Sequence, residues 1–208
     1  MIELPLGKLR VCFHFSFFAA VSLMLLFNFN EFALWGLYAC MIHECGHLAA
    51  MFFTDITAER IIFYGAGIKI VKADHGMLAP FNKELFVLSS GVLANLAVAS
   101  FTLPHGGGAG LFGMINCAIA AFNLLPLNSL DGGKLMVLLF YKLCSYERAV
   151  MLEKYLQRLN ILLSIIIIAA FAACGYKNFT LYLTILYLLL SEACIPLRNQ
   201  TDLNTGYS

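Results

Sequence analysis

The stretch MIHECGHLAAMFF, residues 41–53, places two histidines and a glutamate inside an otherwise apolar run. On a helix His43 and His47 are separated by about 400°, so both imidazoles leave one face a single turn apart. Glu44 lies about 100° around the axis, within reach of a water on a metal held by the pair. This H-E-x-x-H spacing suits metal-assisted hydrolysis, with two imidazoles as zinc ligands and a carboxylate as general base. An ionisable side chain within a membrane span costs at least about 2.5–3.5 kcal/mol on insertion scales, and three here fall within one pentapeptide. A bound dication offsets that cost, because neutral imidazoles ligate it and a carboxylate is favoured beside positive charge. The plain alternative is a polar cluster facing a water-filled cavity without metal.

The elements that must position these groups are membrane helices. The chain has 208 residues, of which 61% are hydrophobic and 12% charged, with mean hydropathy +0.83. Soluble domains carry roughly 25% charged residues. Several apolar runs exceed the roughly 18 residues that distinguish a membrane span from a buried core helix. The predicted architecture is an all-α integral membrane protein of six spans, about 11–27, 32–53, 82–103, 110–130, 158–174 and 178–197. Breaks fall at Asn28 to Glu31, at Pro104-His105-Gly106-Gly107-Gly108 and at Gly175-Tyr176-Lys177-Asn178. Lys8 and Arg10 precede the first run as in a signal peptide, but no A-x-A-like site follows, so it is read as a span. No linker leads to a second folded domain, and residues 1–208 read as one polytopic unit.

Between spans two and three, ITAERIIFYGAGIKIVK (56–72) is rich in isoleucine and valine and alternates in IKIVK. It predicts a strand, a bend carrying Gly65 and Gly67, and a second strand, against the simpler reading of an amphipathic loop. Net charge is +1, so nothing points to nucleic acid. The seven cysteines form no C-x-x-C pair and mostly sit in apolar segments, where they act as small hydrophobes.

Lysine and arginine placement sets orientation. With the N-terminus cytoplasmic, every Lys and Arg except Lys177 falls on the inner side. Both termini are then cytoplasmic. A hydrolytic zinc also needs a third protein ligand and one open position. His14 and His105 lie in or beside other segments, His75 lies in the inner loop, and most acids are outside the spans. The exception is Asp131, in NLLPLNSLDGGKL (123–135). Spans two and four both run from outside to inside, with the histidines in the last turns of one and Asp131 at the end of the other. All three therefore share a depth toward the cytoplasmic face. Pro126 loosens the helix before Asp131, and Gly132 and Gly133 let the backbone bend after it. An isolated Asp-Gly-Gly would otherwise read as a turn.

HECGH near the inner end of the second span, with NLLPLNSLDGG ending the fourth, resembles the site-2 protease family of intramembrane zinc metalloproteases. The likeness runs over roughly residues 8 to 197. It implies one zinc on His43, His47 and Asp131, with Glu44 activating water for attack on a peptide bond in or beside a membrane segment of a membrane-associated protein substrate. Ser90 to Asn95 is similar to the family's glycine-to-asparagine element near the site. The strands at 56–72, with Gly65 and Gly67, match a membrane-associated β-region that pairs with extended substrate. Inhibitory or regulatory membrane proteins are implied as partners, in a bacterial cell membrane. The compact form opening LGKLRVCFHFSFF resembles most the spore-former branch that processes a sigma-factor precursor. Leu124 stands where the family's N-P-x-P has its first proline, and Asn128-Ser129 where further prolines are common, which leaves the local backbone path open.

Other polar residues have weaker claims. Asn116 and Asn123, seven residues apart, share a helical face, and Asn95 lies at similar depth. Asn123 is read as holding substrate backbone, Asn95 as its companion, and an interhelical hydrogen bond is the alternative. Glu192 is expected to snorkel or to pair with Arg198, rather than to be a fourth ligand or a gate. A metal transporter is the rival class, yet it lacks the internal repeat such folds often show and does not explain Glu44. A catalytically dead relative that chaperones membrane segments is a third reading, and the intact Glu44 speaks against it.

Overall fold

The computed structural model describes residues 2–6, 9–26, 31–64, 67–72, 80–175 and 179–194. Contacts divide the chain into two compact units, Met1–Phe122 and Asn123–Ser208.

The first unit opens with two strands, β1 (Ile2–Leu6) and β2 (Leu9–Phe13), then α1 (Phe15–Leu26) and α2 (Glu31–Phe53). β3 (Ala58–Tyr64) and β4 (Gly67–Lys72) follow, and then α3 (Phe81–Thr102), a 3₁₀ turn (Leu103–His105) and α4 (Gly107–Asn123). The strands form one sheet in the order β1-β2-β3-β4. The expected hairpin is present: β3 and β4 pair antiparallel from Ala58↔Lys72 to Tyr64↔Gly67. Gly65 lies outside the described residues. Not expected is the N-terminal pair. β2 runs parallel to β3, with Arg10 opposite Arg60 and Phe13 opposite Phe63. The first helix therefore starts at Phe15 rather than near residue 11. LRVCF hides its strand character because its apolar residues run straight into the helix that follows. Phe13 stacks on Phe63 with ring centroids 4.7 Å apart, and Phe17 meets the same ring edge-on at 5.5 Å.

The end of α2 is built by a recognisable cap. Asp55 adopts a left-handed backbone (φ 57°), Ile56 N–H donates to the Met51 carbonyl and Asp55 N–H to that of Phe52. This six-to-one and five-to-two pairing is a Schellman motif, which turns the chain out of the helix and into β3. Ile56 completes it by packing on the cluster of Ala50, Met51 and Val87. Lys83 adds a further bond, donating from Nζ to the Thr54 carbonyl at 2.7 Å.

The second unit holds an irregular segment, 124–130, then α5 (Asp131–Leu143), α6 (Tyr146–Ala173) and α7 (Phe179–Cys194). Two expectations change here. The fourth helix ends at Asn123 rather than near 130, and Asp131 opens a new helix instead of closing the old one. The fifth expected span is α6, which begins at Tyr146 and not near 158, because charged residues such as Arg148, Glu153 and Lys154 mask its first turns in an apolar count. Tyr141 of α5 donates to buried Glu153 of α6 at 2.9 Å.

Among the described residues, two helical stretches are long and apolar enough to cross a membrane, Phe81–His105 and Tyr146–Ala173. Gly107–Asn123 and Tyr182–Ala193 are apolar but shorter. α2 has the length, at 23 residues, yet His43, Glu44 and His47 lower its hydropathy. The fold is thus mostly helical with a four-stranded sheet, and the six-span count goes beyond what these helices establish.

Candidate metal centre

His43 and His47 project from one face of α2, as their spacing requires, and both are buried. His47 Nδ1 donates to the Val87 carbonyl of α3 at 2.7 Å, since a carbonyl oxygen only accepts. That bond fixes the tautomer and makes Nε2 the unprotonated nitrogen, the one that can ligate a metal. Nε2 of His47 faces Nε2 of His43 at 3.1 Å. Two nitrogens bound at about 2.0–2.1 Å in a tetrahedron stand about 3.3–3.4 Å apart, so this pair fits one small dication. The Ser90 hydroxyl donates to the same Val87 carbonyl at 2.7 Å.

Gly91 of α3 is the floor under the imidazoles. A Cβ there would lie 2.5 Å from His47 Nε2 and 2.8 Å from His43 Nε2. Gly46 answers from α2, where a Cβ would lie 2.7 Å from the Ser90 carbonyl. Without side chains at these two points the helices approach closely enough for a main-chain carbonyl to orient a ligand.

Asp131 is the first residue of α5 and is buried, with Gly132 and Gly133. Lys134 Nζ reaches its Oδ1 at 3.3 Å. Both glycines are demanded by close approach: a Cβ on Gly132 would lie 2.3 Å from the Leu124 carbonyl oxygen, and one on Gly133 would lie 2.1 Å from that of Leu127. Among the described residues, His43, His47 and Asp131 bring their ligand atoms within 4.8 Å of one another. Two imidazoles and one carboxylate are a donor set that zinc accepts, with a fourth position left for water.

The remaining expected site residues are less tightly drawn in. Glu44 sits between the histidines on α2, half-buried. Asn95 of α3 is wholly buried, and its amide atoms find no hydrogen-bond partner among the described residues. Asn123 ends α4 and is half-buried. Asn116 donates to the Phe112 carbonyl one turn back at 2.8 Å. Gly67 opens β4.

Glu192 departs from expectation. It is 1% exposed and accepts at Oε1 from the Asn128 backbone N–H at 3.0 Å and from Asn160 Nδ2 at 2.7 Å. A snorkelling carboxylate would reach water, whereas this one is hydrogen-bonded inside. Arg198, its expected partner, lies outside the described residues. Sequence reasoning also missed Asn160 and the Val87 carbonyl; the first had a signal, being a polar residue inside an apolar run.

No family model matches the chain. Over 116 residues, 52% of its length, it is 32% identical to Stage IV sporulation protein FB of Bacillus subtilis (strain 168), and the match spans 40% of that relative. In structure, 95% of the chain superposes on 98% of the Site-2 Protease from Methanocaldococcus jannaschii, with a TM-score of 0.67 and 17% identity. By sequence the chain is thus distantly similar to the sporulation protein over about half its length, and over nearly its whole length it has the fold of the solved site-2 protease.

Proposed function

We propose that the protein is an intramembrane zinc metalloprotease, cutting a peptide bond in or next to a membrane segment of a membrane-associated protein. The gathering of His43, His47 and Asp131 carries this reading. These three would hold one zinc, which when bound supplies Lewis acidity and makes water a nucleophile near neutral pH. Glu44, one position along α2 from His43, takes the proton of the attacking water and returns it to the leaving amine. The peptide must be extended before its carbonyl is accessible, since a helical substrate hides its carbonyls in backbone bonds. β3 is flanked by β2 and β4, so β4 offers the edge to which such a substrate adds as a further strand. Gly67 at the start of β4 gives that strand room for the substrate, and Asn123 and Asn95 hold substrate backbone.

Exposure supports the membrane setting. Buried side chains include His43, His47, Asn95, Asn116, Asp131, Asn160 and Glu192, while Phe52, Phe53, Phe101 and Leu143 are at least three-quarters exposed. Polar inside and large apolar outside is the arrangement that lipid, not water, favours. Both termini are placed in the cytoplasm and the site toward that side of a bacterial membrane. A membrane-associated transcription-factor precursor, in sporulation, is the substrate class that the B. subtilis relative suggests.

Replacing Glu44 by Gln tests the role of the base. The variant should bind zinc as the wild type does and lose at least about 10²-fold in cleavage rate. Cleavage at the wild-type rate would remove Glu44 from the mechanism.

A further inference from the structure

We infer that Glu192 and Asn160 are positioning residues for Asp131, forming a clamp from α7 and α6 that fixes segment 124–130 and so the start of α5. This rests on Asp131 being the metal ligand proposed above.

The segment is irregular and enters a region where backbone groups must find partners inside the protein. Two bonds are internal, Leu127 N–H to the Leu125 carbonyl and Leu130 N–H to that of Leu127, both 2.8 Å. Two more come from helix side chains. Asn160 Nδ2 donates to the Pro126 carbonyl at 2.6 Å, and Glu192 Oε1 accepts from the Asn128 N–H at 3.0 Å. The same Asn160 amide nitrogen donates to Glu192 Oε1 at 2.7 Å, spending its second hydrogen. Gln157 Nε2 ties α6 to the Glu192 backbone carbonyl at 2.8 Å. Asn160 and Glu192 are 4% and 1% exposed, so these bonds are shielded from competing solvent.

Position is transmitted because the segment has no slack. Only Ser129 and Leu130 separate Asn128 from Asp131. The carbonyls of Leu124 and Leu127 press where side chains on Gly132 and Gly133 would be. A segment held at Pro126 and Asn128, and seated on Gly132 and Gly133, leaves the Asp131 backbone little freedom. Glu192 is not itself in the ligand group. Among the described residues, both hydrogen bonds of its carboxylate fall on one oxygen, so its task is to accept, and a glutamine amide oxygen can do that equally well.

The test uses the full chain in mild detergent, with zinc affinity measured by competition against a chromophoric chelator. Folding is checked by circular dichroism and gel filtration, and the cobalt-substituted visible spectrum reports ligand geometry. Glu192→Leu and Asn160→Leu should each weaken zinc binding about 10–100-fold, the range for groups that orient ligands. Their double variant should be no weaker than the worse single one, because both act through one segment. Glu192→Gln should keep affinity and spectrum within about threefold of the wild type. Glu153→Gln, which alters the buried acid of α6, should leave the zinc affinity unchanged. If Glu192→Leu does not fold, Asn160→Asp imposes the same loss by turning an oxygen toward two acceptors.

Wild-type zinc affinity and cobalt spectrum in a folded Glu192→Leu or Asn160→Asp, while Asp131→Ala loses the metal, would overturn the clamp alone. So would a Glu192→Gln as damaged as the leucine variant. Zinc held equally well with and without Asp131 would overturn the ligand reading and the clamp together.

Discussion

Gly91 has no side chain because two imidazoles occupy the space. Its missing Cβ would sit against both Nε2 atoms, so Gly91→Ala must push the histidines apart or drive α3 from α2. Overpacking of this kind costs about 1–3 kcal/mol. Zinc affinity should fall at least about 10-fold, read by chelator competition, with the fold retained. An alanine variant that binds zinc as the wild type does would show that the helices are not so close. At this scale the gathering of His43, His47 and Asp131 was legible in the sequence, and what orients them was not. His43, Glu44 and His47 follow from helical periodicity alone, and Asp131 from matching depth. The Val87 carbonyl that fixes the His47 tautomer leaves no mark in sequence, since every residue offers the same group.

Elements matter through where they stop. α2 ends six residues after His47, in a Schellman cap whose pivotal residue, Asp55, is left-handed at φ 57°. Asp tolerates that conformation and glycine prefers it, whereas a β-branched residue is strained there. Asp55→Gly should leave thermal stability in detergent unchanged or raise it, and Asp55→Val should lower it by about 1–3 kcal/mol. Equal midpoints for the two variants would contradict the cap. The β3–β4 hairpin was legible because IKIVK alternates and glycines mark the bend. The N-terminal strands were not, because β2 runs without polar interruption into α1. Nor was α5. NLLPLNSLDGG reads as one weakening helix, whereas Pro126 ends the helical bonding and Asn160 and Glu192 supply partners from over thirty residues away. Asn128 contributes an N–H to that arrangement, which a proline there would lack.

The molecule as a whole has the fold of a solved site-2 protease at 17% identity, and its own side chains follow one pattern. That pattern is apolar helices outside, a few polar groups within, and small residues where helices meet. Exposed Phe101 and the isoleucines of α6 face outward, and Asn95, Asn116 and Glu192 face inward. The proposed topology puts the end of α6 outside the cell and the α5–α6 turn inside. In single-cysteine variants on intact cells, a membrane-impermeant maleimide should therefore label Cys174, which is exposed, and spare Cys144. The reverse pattern would invert the orientation and place the site at the outer face.

The most direct test is zinc per chain, measured in protein purified in mild detergent and washed with chelator, wild type beside Asp131→Ala. One zinc in the wild type and none in the variant is the expected result. A folded wild type without zinc, or a variant that retains it, would contradict the claim that His43, His47 and Asp131 form a metal centre.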